Sequence, residues 1–218
     1  MHHWPVHRTE LVAIGLGANV GPARQTLVHA VTALRALPGL SLEGVSRLYR
    51  TRPVGPVAQH DFWNAAVTLR VPTGRSPVEG AMALLIALKG LEQALGRQQR
   101  EHWGPRELDL DLLLFGSHRL HVERDPLARS EDPARGAAQW LVVPHPLAAE
   151  RAFVLAPLAD LLPEQEPPGW GLSVRDAWAR ARDQEGEEAV RAVAAWDEAS
   201  GSWRDLAAAL SDGSGVAP

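Results

Sequence analysis

The chain of 218 residues contains no cysteine. That excludes a disulfide framework and a thiolate zinc site, so any metal must be held by oxygen or histidine ligands. Long apolar runs are missing too. The longest, such as "AMALLIAL", fall well short of the roughly 18 to 20 residues that cross a bilayer, and no signal-peptide pattern opens the chain. The expectation is a soluble, cytoplasmic protein with no membrane partner. Lysine is nearly absent: Lys89 stands alone among arginines. The arginines form no long stripe of the kind that tracks a polynucleotide, so no nucleic-acid partner is expected. Several crowd between Arg97 and Arg106, which suits a small anionic ligand.

What is present is a composition 45% apolar, enough for a packed core in one domain with additions. The formal charge of −4 belongs to the tail, since residues 171–218 hold five arginines against nine carboxylates and residues 1–170 are about neutral. No internal repeat is visible.

"ELVAIGLGANVGPARQTLVHAVTALRAL" predicts a strand, a turn broken by Gly15, Gly17 and Gly21, and a helix with Pro22 at its first position. The third glycine comes one residue late for a dinucleotide fingerprint. Residues 41–50 predict a second strand, and "FWNAAVTLRV" a third. On that third strand Trp63, Ala65, Val67, Leu69 and Val71 share one face, while Phe62, Asn64, Ala66 and Thr68 share the other. "SPVEGAMALLIALKGLEQALG" opens on a Ser-x-x-Glu capping box and predicts a helix ending near Gly96. A strand around 107–115 and a hairpin through "GSHRL" follow. This order predicts an α+β fold, a ferredoxin-like βαββαβ sandwich with one sheet face covered by two helices. Residues 123–139 predict a polar insertion, and residues 171–218 an acidic extension with extra C-terminal helices.

The most demanding stretch is "HWGPRELDLDLLLF", residues 102–115. On a strand Asp109 and Asp111 point to one side, with Cα atoms roughly 6.5 to 7 Å apart, and Leu108, Leu110 and Leu112 to the other. Two aspartates on one face need water, arginine or cations as partners. Magnesium prefers carboxylate oxygens and bridges to substrate phosphates, and a pair of ions about 3.5 to 4 Å apart serves two-metal phosphoryl chemistry. An amphipathic edge strand with an acidic solvent face is the alternative for the pair alone. The nearby Arg97, Arg100 and Arg106 favour a polyphosphate–metal complex.

"HWGPRELDLDLL" resembles the signature of the 6-hydroxymethyl-7,8-dihydropterin pyrophosphokinase family. "IGLGANVG", "SRLYRTRPVGPVAQHDFWNAAV", "LEQALGR" and "VPHPLAAERAFVLAPL" resemble the family's other blocks, together covering most of residues 10–165. The resemblance implies a magnesium-dependent transfer of pyrophosphate from ATP to the hydroxymethyl group of the dihydropterin, with release of AMP, in folate biosynthesis. It implies that Asp109 and Asp111 bind two Mg²⁺ ions and that Arg97 and Arg106 contact phosphates in a catalytic role. It places Glu92, Trp103, His145 and Arg151 at the nucleotide. It places Phe62 and Phe153 on the faces of the pterin, Asn64 at its edge, and Thr51 and Val54 in the loop beside it. The loops 51–60 and 97–106 are expected to close over both substrates, residues 1–170 to form the catalytic domain, and the tail to contact another folate-pathway enzyme. The chain departs from the family pattern at Gln99, where a second loop arginine is usual and Arg100 lies one step later. It departs again at Trp140 and Val142, which stand where polar nucleotide contacts are usual. A two-metal phosphohydrolase or nuclease would use the same aspartates without the Phe62, Asn64 and Phe153 set. A non-catalytic nucleotide-binding interaction protein would bind ATP without turnover.

Overall fold

The computed structural model of the chain describes residues 8–53, 59–98, 104–124 and 139–206, the side chain of Glu187 excepted. Strand β1 (Thr9–Ala18) lies antiparallel between β4 (Phe62–Pro72) and β5 (Asp109–Phe115). Helix α1 (Ala23–Arg35) follows β1, and α2 (Pro77–Ala94) connects β4 to β5. The strand expected over 41–50 is divided into β2 (Ser41–Val45) and β3 (Leu48–Thr51), both paired with β4. Ser46 makes the break. Its hydroxyl accepts from the Ala66 N–H and donates to the Arg47 carbonyl, so a side chain replaces a main-chain acceptor in the ladder.

One face of the sheet packs as the periodicity predicts. Leu27, Ala30, Val31 and Leu34 of α1 and Leu84 and Leu88 of α2 meet Ile14 and Leu16, Val67 and Leu69, and Leu108, Leu110 and Leu112 in one core. Each such side chain withdrawn from water contributes roughly 1.5 to 3 kcal/mol. The start of α2 is capped by Ser76, whose hydroxyl accepts from the Glu79 N–H at 3.2 Å. Pro22 takes the N-cap position of α1, one residue earlier than expected. The opposite face is covered as well: α3 (Ala152–Leu161) and α4 (Val174–Glu185) bury Ala13, Leu113, Leu158 and Val174 there. No helix among the described residues is long and apolar enough to cross a membrane.

Three expectations are corrected. β1 runs through Gly15 and Gly17 instead of breaking at them, because both are laddered to strands on either side. β6 (Leu120–Glu123) does not fold back on β5; it pairs with β7 (Gln139–Val143) in a small separate sheet. Over Val190–Asp205 the extension is strand and not helix, so of the expected C-terminal helices α4 is followed by a hairpin. After a 3-10 turn at Glu187–Ala189, β8 (Val190–Asp197) and β9 (Ser202–Asp205) form a hairpin that continues the main sheet beyond β3. The Ala- and Glu-rich composition favours helix only weakly, and the free edge of β3 overrides it. Trp203 is buried in the main core and its indole N–H donates to the Ser46 carbonyl at 2.9 Å. Asp197 holds the hairpin turn by accepting from the Ala199 N–H and the Ser200 hydroxyl. The described part of the tail is therefore part of the main sheet, while most of the polar insertion and the last residues lie outside the description.

Candidate active site

A cavity of about 330 Å³ opens where the strand ends meet the start of α3. Its floor is the sheet itself. Gly17 stands opposite Asp109 on one side and Asn64 on the other, and Gly15 stands between Asp111 and Ala66. A Cβ on Gly17 would lie 3.0 Å from the Asn64 Oδ1. The two glycines thus keep a shallow, side-chain-free strip between the carboxylates and the aromatic end.

Asp109 and Asp111 both line the cavity, and their leucine neighbours face the opposite core, as alternation requires. Arg97 donates to Asp109 at 2.6 Å, and Arg106 pairs with its other oxygen. Burial alone would raise the Asp109 carboxyl, but Arg106 and then Arg97 outweigh it and hold it below the usual carboxylate range. Asp111 goes the other way. Burial first, then the charge of Asp109, push its carboxyl upward against the opposing pull of His145 and Lys89. Two neighbouring carboxylates in one site, of which Asp109 alone is ion-paired to arginine among the described residues, form a place where a cation is electrostatically favoured.

Glu92 is nearly inaccessible, at 2% exposure, and is no solvated helix residue. Its Oε1 accepts from the Leu110 N–H at 2.7 Å, pairs with Lys89 at 2.8 Å and with Arg97 at 2.5 Å. Lys89 also donates to the Leu110 carbonyl at 3.2 Å. α2 is thereby fastened to the strand that carries the aspartates. Burial pushes the Glu92 carboxyl up more than Lys89 draws it down.

Residues 144–151 bring the remaining polar groups. The Val143–Pro144 bond is cis, and the His145 N–H donates to the Leu113 carbonyl at 2.9 Å. Burial, reinforced by Arg151, draws the His145 imidazole below its usual value although Asp111 opposes this. Arg151 lies 5.6 Å from the centroid of the Phe153 ring, and both line the cavity. At this aromatic end Phe62 and Phe153 line the same space as Asn64, whose amide donates to the Thr51 hydroxyl at 2.7 Å.

Arg97 reaches the site through Asp109, and Arg106, Asp111, Thr51, Phe62, Asn64, His145, Arg151 and Phe153 converge on the cavity. Glu92 stands behind it. Val54 and Trp103, like Gln99 and Arg100, lie outside the described residues. Sequence reasoning missed Asn19, Arg52, Gln59 and Lys89. Asn19 accepts from the Arg106 N–H at 2.8 Å, donates its amide to Gln59 and to the His60 carbonyl, and so ties the loops on both sides of the cavity together. The Lys89-x-x-Glu92 spacing on one helix face was the available signal for Lys89. Asn19 sends only the weak signal of an asparagine just past a strand end.

A family model described as 7,8-dihydro-6-hydroxymethylpterin-pyrophosphokinase matches residues 13–163. A 2-amino-4-hydroxy-6-hydroxymethyldihydropteridine pyrophosphokinase of Synechocystis is 38% identical over 161 residues, which cover 74% of this chain and 71% of that one. The enzyme of the same name from Bacillus subtilis is 35% identical over 188 residues, 86% of this chain and 91% of its own. Among solved structures, wild-type Plasmodium falciparum HPPK-DHPS with pterin and p-hydroxybenzoate has a TM-score of 0.65 at 14% identity, over 93% of this chain and 49% of that one, and so speaks for the fold alone. With the matched segment spanning both the aspartate strand and the aromatic end of the cavity, the chain belongs to the 7,8-dihydro-6-hydroxymethylpterin-pyrophosphokinase family.

Proposed function

We infer that the cavity transfers the pyrophosphoryl group of ATP to the hydroxymethyl group of 6-hydroxymethyl-7,8-dihydropterin, releasing AMP, in folate biosynthesis. One observation carries the reading: Asp109 and Asp111 face Phe62, Asn64 and Phe153 across the Gly15–Gly17 strip within one cavity. A charged end suited to polyphosphate and a flat aromatic end suited to a hydrogen-bonding bicycle are therefore within reach of each other.

Asp109 and Asp111 fit magnesium, because an oxygen-only pair of carboxylates leaves most coordination positions to water and phosphate, as that ion prefers. Asp109 and Asp111 would hold two Mg²⁺ ions, whose chemistry when bound would be to neutralise charge on the nucleotide phosphates. Arg97 and Arg106 grip Asp109 with guanidinium groups whose geometry equally matches phosphate oxygens, so nucleotide binding can transfer them from carboxylate to phosphate. His145 and Arg151 add donors on the α3 side of the nucleotide. Phe62 and Phe153 stack on the pterin faces, and Asn64, oriented by Thr51, reads its edge. Positioning and fixed charge then supply most of the rate. The same reading assigns Val54 to the pterin and Trp103 to the nucleotide.

The same proposal takes the βαββαβ core as ferredoxin-like, residues 1–170 as the catalytic unit, the cytoplasm as its location, and the acidic tail as a contact for another folate-pathway enzyme. The test is AMP formation from ATP, Mg²⁺ and the dihydropterin by the native chain, Asp109→Ala and Asp111→Ala. Pterin-dependent AMP that collapses in both variants supports it. Phosphate release that ignores the pterin, or no turnover by folded native protein, sinks it.

A further inference from the structure

Beyond residue 170 the chain does more than lengthen the sheet. β8 pairs with β3 so that Val190 lies opposite Thr51, and the Arg52 N–H donates to the Ala189 carbonyl at 3.4 Å. Thr51 and Arg52 both line the cavity. α4 ends on Glu185, whose Oε1 accepts from the Ala152 N–H at 3.2 Å. Ala152 is the first residue of α3 and sits between Arg151 and Phe153; the N-cap residue, Arg151, makes no side-chain cap of its own. Phe153 and Trp178 pack against one cluster, built from Tyr49 of β3, Ala152 and Ala156 of α3, Ala177 and Ala181 of α4, and Val190 of β8. The far end of α3 is tied to the same strand, because the Tyr49 hydroxyl donates to Asp160 at 2.9 Å.

We propose that α4 and β8 act as a brace that positions the pterin end of the cavity, with Glu185 and Trp178 as positioning residues. This rests on reading that end as the pterin site. The first N–H groups of a helix have no partner within the helix, and a carboxylate there both accepts a hydrogen bond and complements the helix dipole. Glu185 supplies that carboxylate from 33 residues away and so sets where Arg151 and Phe153 stand. β8 does the equivalent for Thr51, and through Thr51 for Asn64. Arg151 apart, the phosphate end has its own anchors in Glu92 of α2 and Asn19 just past β1, so the brace acts more on the dihydropterin than on ATP.

The experiment compares full-length native chain with Glu185→Ala, Glu185→Gln and Trp178→Ala. It measures the KM for each substrate with the other saturating, and amide exchange over residues 152–155 without substrates. For Glu185→Ala, loss of a cap predicts a rise of about fivefold in the KM for dihydropterin, a rise of no more than about twofold for ATP, and exchange faster by about fivefold. Glu185→Gln keeps an acceptor for the Ala152 N–H and stays near native. Trp178→Ala, provided its melting curve remains cooperative, raises the KM for dihydropterin in the same unequal way. An unchanged KM for dihydropterin in Glu185→Ala and Trp178→Ala, or an equal rise for ATP, overturns the brace. Should the native chain make no AMP, the pterin reading fails by itself. The exchange comparison then still decides whether Glu185 holds the start of α3, and unchanged exchange overturns the brace.

Discussion

The two ends of the cavity are held in different ways. The end proposed to bind phosphate is an ion network: Glu92, Lys89, Arg97, Arg106 and Asp109 lock α2, β5 and the loop before β5 to one another. The aromatic end is held by packing and neutral or capping hydrogen bonds, from Thr51 to Asn64 and from the tail to α3. Charge recognition needs cations and carboxylates that can exchange partners when a polyphosphate arrives. Recognition of a flat ring needs walls that do not move. Each end is built from the interactions its proposed ligand requires.

The difference can be broken most sharply at the carboxylate end. Asp111→Ala should lower pterin-dependent AMP formation by about 10³-fold while leaving dihydropterin binding, followed by tryptophan fluorescence, within about threefold. Next in size, Glu92→Ala should lower unfolding free energy by about 3 kcal/mol in a denaturant titration, since it leaves the Leu110 N–H and the Lys89 and Arg97 charges without their buried acceptor. Asn64→Ala should raise the KM for dihydropterin about tenfold with the KM for ATP nearly unchanged, and an equal rise in both would erase the distinction between the ends.

The smallest effect is one of pH. Asp111 has a raised pKa, so folding favours its protonated form, and Mg²⁺ affinity measured by calorimetry should weaken as pH falls through a midpoint above the ordinary carboxylate value of about 3.9. Asp109 has a lowered pKa. Its contribution to stability is present above that ordinary value and is lost only as pH falls through the lower folded one. An acid limb for Mg²⁺ binding that persists unchanged in Asp111→Asn would assign it to another group.

Much of this was legible in the chain. Alternation correctly separated Leu108, Leu110 and Leu112 from Asp109 and Asp111, and Trp63, Ala65 and Val67 from Phe62 and Asn64, because residues two apart on a strand must share a face. The burial of Glu92 was not legible, since helix periodicity does not reveal that a partner strand will offer the Leu110 N–H to its carboxylate. Gly15 and Gly17 read as breakers, whereas pairing on both sides keeps them in β1, where their missing side chains clear the cavity floor.

The sequence by itself determined the element order through β5 apart from the break at Ser46, the sidedness of the strands and the chemical character of the two sets of cavity residues, all of which follow from local period and residue type. Only the tertiary structure decided that the tail adds the β8–β9 hairpin to the sheet edge, that Asn19 joins two loops, and that Glu185 caps a helix far from it in the chain. Each of these depends on which unsatisfied backbone groups the fold brings together, and no local pattern in a single chain records that.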